Sequence, residues 1–461
     1  MNRLSLRTLM RLGVLAGIVC AALTLPGACT LSSGSGAPRN REINDIVRLP
    51  QEIGPYAAAA GERLAIGGEC RAMLLDEFWK HYFEPWTQAA LKYDPAETKE
   101  SMRKTALGTW YGENRRIMAP ELMRKILDNC ALEGFPSRNE AAIAVAPAHL
   151  RGLPTHHPLF AKQDDYPFDM LQYPNVKLNE PLRVLHASRD GVWLYVENAY
   201  SAGWLEARDV ALADQSFIDS WMVRPPLVIV RDYTTVTDSR WVIGHRAKIG
   251  TILPLVTAGD GWWDVAVASA GEGRRAVSTI ARLPRGAAAP CPLPFNRENV
   301  ALIGDQLMGQ PYGWGEMHGL RDCSATLRDF FLPFGIWLPR TAAAQIASVP
   351  GRNLAGLTTQ EKEDAIRREG LPFLTLFYKT GHIMLYVGTD PAGRPLVLHN
   401  AWSIRVKDTS GEREQFIGKT VITTLEPGKE LGIAEGKTLL EQGTAMATIT
   451  DRCAKGTAAA R

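Results

Sequence analysis

The spacing of apolar residues changes character three times along the chain. Up to about residue 155 it has the helical period. GERLAIGGECRAMLLDEFWKHYFEPW places apolar side chains every three or four residues and stops at Pro85. TKESMRKTALGTWY and APELMRKILDNCAL give two more such segments, the second with Pro120 near its start, where a missing N–H costs nothing. This reads as a small helical domain over 41–155. From about 162 the period falls to two. LRVLHASRD, GVWLYVENAY and GWLEARDVALA are short runs bounded by Gly, Asn or Asp, and PLVIVRDYTTVTD, WVIGHRAKIGTILPLVTA, GWWDVAVASA and AVSTIARLP make a second set. They predict two small β-barrels in tandem, 156–222 and 223–284. PRGAAAPCPLPFN then breaks the pattern, so 285–296 reads as a linker. In 297–445, Leu327, Phe330 and Phe331 follow Cys323 at spacings of four, seven and eight, giving a helix with one apolar face. GHIMLYVGT, PLVLHNAW and TVITTLE follow as buried strands, which predicts an α+β domain with its sheet packed on helices. Residues 446–461 read as a tail, mobile unless Cys453 is bridged.

Composition agrees with several folded domains. A chain of 461 residues is too long for one core, and 46% apolar with 22% charged residues is ordinary for a soluble globular protein. A net charge of +3 without a long basic run argues against nucleic acid as a partner. No glycine-rich phosphate loop and no four-ligand metal cluster stands in the sequence, so neither cofactor nor metal is expected. Arg3, Arg7 and Arg11 precede an apolar run from Leu12 to Leu25, too short to span a bilayer comfortably but suited to a secretory signal over 1–28. Leu25-Pro26-Gly27-Ala28-Cys29 resembles the cleavage box of bacterial lipoproteins, in which the cysteine becomes the lipidated first residue. Pro26 departs from the leucine-like residue preferred there, which leaves cleavage by the ordinary signal peptidase as the alternative. On the lipoprotein reading Cys29 anchors the protein to the periplasmic face of a bacterial membrane through a flexible tether, 29–40. Of seven cysteines, Cys70, Cys130, Cys291 and Cys453 then remain beside Cys20, Cys29 and Cys323. Four cysteines allow two disulfides in three connectivities. The domain layout favours Cys70 with Cys130 and Cys291 with Cys453, and free buried thiols are the other reading.

Cys323 carries the candidate chemistry. It stands between the glycine-punctuated PYGWGEMHGLRD and its helix, in a first turn where unpaired N–H groups and the helix dipole favour thiolate, lowering a free-cysteine pKa of about 8.5. His382 follows 59 residues later and His399 another 17, both in strand-like runs. A thiol at a helix start, an imidazole on a strand and a second polar residue on the next strand are the parts of a cysteine-nucleophile site. The competing reading of these residues alone is a buried thiol with two hydrogen-bonded core histidines. His156 and His157 lack partners at ligand spacing and read as loop histidines.

Around these residues stand Pro311-Tyr312, Trp314-Gly315, Asp322-Cys323-Ser324, Gly335-Ile336, Leu338-Pro339-Arg340, Gln345 and Gly381-His382. With His399 they resemble the NlpC-type cell-wall cysteine peptidases, papain-like enzymes of permuted chain order. FWKHYFEPW and 139–160 resemble the N-terminal domain of multidomain members; FDMLQ at 168–172 and AGWLEARDVA at 202–211 resemble one type of bacterial SH3-like domain, LVIVRD and IGTILPLV a second. The resemblance implies a multidomain chain: helical N-terminal domain, two SH3-like β-barrels and a C-terminal α+β papain-like (permuted) peptidase domain.

The same resemblance implies a peptidoglycan stem-peptide hydrolase that cuts the amide joining γ-D-glutamate to a diamino acid. Cys323 would attack the carbonyl carbon, His382 would take and return the proton, and His399 would hold the His382 ring. The backbone N–H of Cys323 and the hydroxyl of Tyr312 would serve the oxyanion. Multidomain relatives bind the ammonium of a free N-terminal L-alanine through acidic and hydroxyl groups. Asp322 and Ser324 match two of those positions, and a carboxylate beside the nucleophile calls for a cationic partner. Tyr200 and Asp169 of the first barrel are candidates for the channel lining. Thr341-Ala342 stand where relatives carry aspartate then serine, and Ala325 replaces a glycine. Either the free-amine requirement is relaxed or another acid takes over. His318 faces substrate or solvent. Two rival readings remain: a non-catalytic wall-binding lipoprotein held by its barrels, and an acyltransferase on the same fold. Expected partners are peptidoglycan stem peptides and, through Cys29, a membrane.

Overall fold

The computed structural model describes residues 42–237, 244–408 and 411–458. The signal segment, the tether and the anchor Cys29 lie outside the described residues. Among the described residues no helix is long and apolar enough to cross a membrane.

The main helices before the first strand are Gly54–Ala60, Gly68–Tyr82, Pro95–Leu107 and Pro120–Asn129. Proline opens three of them, and Asp94 caps Pro95–Leu107 by accepting from the N–H groups of Ala96 and Glu97. Their apolar faces divide between two cores shared with other parts of the chain. Ile53, Tyr56, Leu74, Phe78 and Tyr82 are buried in the C-terminal domain's core with Phe330, Phe331 and Leu332. Met102, Ala106, Met123 and Ile126 instead pack on the first barrel against Leu171, Leu185 and Trp204. An amphipathic stripe says that a face is buried, not which partner buries it. Gly304 permits the first contact, because a Cβ there would meet Ile53 Cγ1 at 2.7 Å.

The first barrel is a seven-stranded antiparallel sheet in the order Gln172–Val176, Ala148–Arg151, Ala202–Glu206, Trp193–Glu197, Pro181–Ala187, Glu140–Ala144, Val210–Leu212. It therefore starts near 139 rather than 156. Glu140–Ala144 pairs with both Pro181–Ala187 and Val210–Leu212, and its alanines carry too little bulk to advertise a strand. The second barrel has five strands, Ala276–Pro284, Trp262–Ala270, Ile252–Gly259, Pro226–Ile229 and Ala288–Pro290, with a ribbon of Thr234–Thr237 and Gly244–Ala247. Ala288–Pro290 pairs with Pro226–Ile229, so the expected linker gives up its first part to the barrel.

The C-terminal domain is a six-stranded antiparallel sheet in the order Gly351–Asn353, Gly443–Thr448, Thr375–Lys379, His382–Thr389, Pro395–Asp408, Gly411–Thr424. The helix Cys323–Phe331 buries Leu327, Phe330 and Phe331 in one core with Leu385, Leu398 and Ile422. Ala365 and Ile366 of Thr359–Glu369 join a separate core with Met384, Tyr386 and Val397. The expected tail is structured as far as Ala458. Its first residues complete the strand Gly443–Thr448, and Cys453, on the helix Asp451–Ala458, is disulfide-bonded to Cys70. This replaces both favoured pairings and leaves Cys130 and Cys291 as thiols. The reason is the split of the N-terminal helices: the one bearing Cys70 packs on the C-terminal domain, while Cys130 is sealed in the core beneath the first barrel.

The bridge spans 383 residues of sequence. Cys453→Ser is expected to lower resistance to urea by about 2–4 kcal/mol. A digest without reductant should contain one cross-linked pair of peptides carrying Cys70 and Cys453, absent from the variant.

Candidate active site

Asp322 caps the nucleophile helix through Oδ1, which accepts from Ala325 N–H at 2.9 Å, so Cys323 is the first helical residue. The preceding turn, Trp314–Gly319, is irregular, with Gly315, Glu316 and His318 at φ of 56°, 69° and 57°. Gly315 is required: a Cβ there would lie 2.6 Å from the main-chain oxygen of Gln172 in the first barrel. Glu316 is held in the left-handed region by Arg328 at 2.7 Å, Arg340 at 3.1 Å and the backbone N–H of Asn175 at 3.2 Å.

The two histidines meet. His382 Nε2 lies 2.8 Å from His399 Nδ1, and His399 Nε2 lies 3.0 Å from Thr423 Oγ1. Thr423 fixes every proton in this chain. Its hydroxyl donates to the carbonyl of Thr424 at 2.7 Å, and a carbonyl can only accept. The Thr423 oxygen therefore accepts from His399 Nε2–H, which leaves His399 Nδ1 bare to accept from His382 Nε2–H. His382 Nδ1 is then the unprotonated nitrogen, the atom that can act as base. The sulfur is beside the start of this strand, accepting from the backbone N–H groups of Ile383 and Ser324.

The thiol does not have the lowered pKa that its place in a first turn suggested. Burial, and then the neighbouring Asp322 carboxylate, push it up to about 11, outweighing the two backbone donors. Burial likewise lowers His399 to about 4 and takes His382 well below the usual imidazole value, with His399 and Lys379 adding to the effect on His382. Sulfur and both rings rest neutral.

The structure brings Tyr312, Asp322 and Ser324 to the sulfur but gives them different occupations. Tyr312 is half-buried and its hydroxyl has no hydrogen-bond partner among the described residues; burial, Asp322 and Cys323 all hold its proton in place. The cation that Asp322 needs is Arg340, at 2.6 Å from Oδ2, and Arg340 also donates to Ser324 Oγ at 2.8 Å. The premise for assigning Asp322 and Ser324 to a substrate ammonium is thereby removed. Asp169 is likewise engaged within the protein: Oδ2 accepts from Arg151 at 2.7 Å, and Oδ1 from the N–H groups of Leu159 and Leu171. Tyr200 is buried between Trp337 and the Arg328 guanidinium, and its hydroxyl lacks a partner among the described residues. His318 is exposed.

What flanks the sulfur on the barrel side is aromatic. Trp402 lies 5.8 Å from Tyr312 and 6.1 Å from Phe168, and Phe168 lies 5.1 Å from Trp314 between ring centres. The two larger cavities, about 460 and 700 Å³, both reach His149 and His318, and neither is lined by Cys323 or His382. Sequence reasoning missed Thr423 and the charged residues under the helix. The available signal was Arg328-Asp329, two charges inside an otherwise apolar run.

Comparison with known proteins places this geometry. Residues 18–135 match the NLPC_P60 stabilising domain, N term; 158–206 an SH3 domain of SH3b1 type; 214–259 an SH3 domain of SH3b2 type; and 309–423 the NlpC/P60 family. No curated protein matches the chain. An NlpC/P60 endopeptidase from Photobacterium damselae subsp. piscicida has a similar structure: TM-score 0.76 at 21% identity, over 84% of this chain and 94% of that one. An NlpC/P60 family protein from Bacillus cereus ATCC 10987 aligns over 67% of this chain and 99% of its own, at 14% identity and a TM-score of 0.46.

Two outcomes follow from the relay and its neutral resting state. Thr423→Val removes the acceptor that sets the tautomer of His399, so histidine nitrogen NMR should show the Nε2–H form lost, with turnover down about tenfold or more, while Thr423→Ser keeps both. Because the thiol pKa is raised, alkylation of Cys323 by iodoacetamide should be slow at neutral pH and climb as pH approaches about 11.

Proposed function

We propose, from the premise that this chain belongs to the NlpC/P60 family in a form with a stabilising N-terminal segment and two SH3 domains, that it is a cysteine endopeptidase of peptidoglycan stem peptides. The bond cut is the amide between γ-D-glutamate and a diamino acid. The observation that carries the reading is the proton chain Thr423–His399–His382, which leaves a bare ring nitrogen on His382, the residue before Ile383, whose backbone N–H donates to the buried sulfur. A scaffold that only bound the wall would have no use for a base so placed.

In this mechanism the thiol stays protonated until a carbonyl reaches it. Cys323 Sγ bonds to the carbonyl carbon as its proton passes to His382 Nδ1, and the imidazolium is stabilised through Nε2–H to His399. The oxyanion is taken by Cys323 N–H and Tyr312 Oη–H, each worth roughly 3 kcal/mol of barrier. His382 returns the proton to the leaving amine. Water then attacks the thioester, His382 takes its proton, and the thiol is restored.

The two candidate carboxylates, Asp322 and Asp169, are already paired with Arg340 and Arg151, which supports a relaxed need for a free N-terminal amine. Export belongs to the same reading. The Cys70–Cys453 disulfide suits an oxidising compartment, and Cys29 would supply the lipid anchor.

Digestion of synthetic stem tetrapeptides followed by mass spectrometry tests the proposal. The expected result is release of the diamino-acid peptide with uptake of one water, lost by about a thousandfold or more in Cys323→Ala. N-acetylated and free peptides should be cut with comparable kcat/KM. Products joined to an added amine instead of water would make the protein a transferase, and intact peptides would leave it a binding protein.

A further inference from the structure

A recess of about 310 Å³ is lined among others by Lys379, Ser403, Arg405, Glu414 and Lys437, all from the C-terminal domain. Strand register sets Lys379 directly across the hairpin from His382. The neighbours Trp402 and Ser403 belong to different surroundings: Trp402 to the aromatic wall that reaches the first barrel, and Ser403 to this recess, to which neither barrel contributes.

Lys379 is half-buried at the inner end, while Arg405 and Lys437 are exposed at the rim. None of the three makes an ion pair among the described residues, although Glu414 stands opposite Arg405 in the strand pair. The Lys379 ammonium is within electrostatic reach of the sulfur and of His382: burial lowers its own proton affinity, Cys323 works the other way, and its charge helps to hold His382 neutral. Removing an ammonium from water without an anion is unfavourable, and a bound carboxylate reverses that.

We propose that this recess receives a carboxylate of the amino-acid portion released by the cut, with Lys379 as the inner contact and Arg405 and Lys437 as the rim. The inference rests on the hydrolase reading and deepens it. A stem peptide can offer that carboxylate from two places, the side chain of a dicarboxylic diamino acid or the main-chain terminus of a tripeptide. Where the side chain enters the recess, a diamino acid whose side chain ends in an ammonium alone is repelled.

The test uses the full-length protein, Lys379→Met and Lys379→Arg, with four peptides of sequence L-Ala-γ-D-Glu-X. X is diaminopimelate, diaminopimelate amidated on its side-chain carboxyl, diaminopimelate amidated at the C-terminus, or lysine. One of the two amidations should raise KM of the wild type about tenfold with kcat little changed, which identifies the carboxylate bound. Lys379→Met should lose that distinction and narrow the gap between the diaminopimelate and lysine peptides; Lys379→Arg should retain it. Equal KM for acid and amides in the wild type, or a Lys379→Met variant that keeps the wild type's distinction between them, overturns the subsite. If the wild type cuts none of the peptides, the hydrolase reading fails and calorimetry on Cys323→Ala decides the subsite alone. Tighter binding of the acid than of either amide, abolished by adding Lys379→Met, upholds it. Equal affinities overturn it.

Discussion

Charge buried beneath the nucleophile helix has to be neutralised by residues that arrive from elsewhere in the chain. Arg321, Arg328, Asp329 and Glu316 are all at most 1% exposed. Arg321 donates to Asp329 and to Asp232, both at 2.7 Å; Lys177 reaches Asp329 at 2.7 Å; Arg328 is shared between Glu316 and Asp329. Lys177 belongs to the first barrel, and Asp232 follows a strand of the second. Leaving one such charge without its partner typically costs about 3–5 kcal/mol. The barrels are therefore counterions of the nucleophile helix as well as neighbours of it, and the helix is seated only where all three domains meet.

The same compensation shapes the chemistry. A carboxylate next to a buried sulfur would by itself oppose thiolate formation, and Arg340 offsets it while also tying Asp322 and Ser324 to Glu316. Burial then holds the sulfur and both imidazoles neutral, so the relay is poised but unspent. Directionality comes from one hydroxyl. Thr423 donates to a backbone carbonyl, and that orientation propagates through two rings to the nitrogen that must be bare.

Much of this was legible in the residues, and the rest was hidden for identifiable reasons. The helix opening at Cys323 and the strands of His382 and His399 announced themselves by period and by a dense local pattern. The barrels did so by short alternating runs. Partners were less visible than elements. The helices before residue 130 show apolar faces, yet nothing in those faces says that half of them serve the C-terminal domain and half the first barrel. Glu140–Ala144 escaped because alanine scarcely distinguishes strand from helix. Thr423 is one threonine in a run of them, and only the pairing of His399 with Val421 in the neighbouring strand brings it to the ring. The expected thiolate rested on the helix dipole and the unpaired N–H groups of the first turn. A sequence reports where a dipole lies but not how much water has been removed around it.

The covalent link between Cys70 and Cys453 makes most of the chain a closed ring instead of a thread with two ends. A single hydrolysed peptide bond anywhere inside that circuit opens it without severing anything: no fragment can diffuse away until a second scission or a reductant intervenes. Both barrels, the sulfur and the two imidazoles all lie within it. A protein joined in this way tolerates accidental nicking as a loss of continuity, not of parts, and its lifetime among other hydrolases is set by how often two breaks coincide.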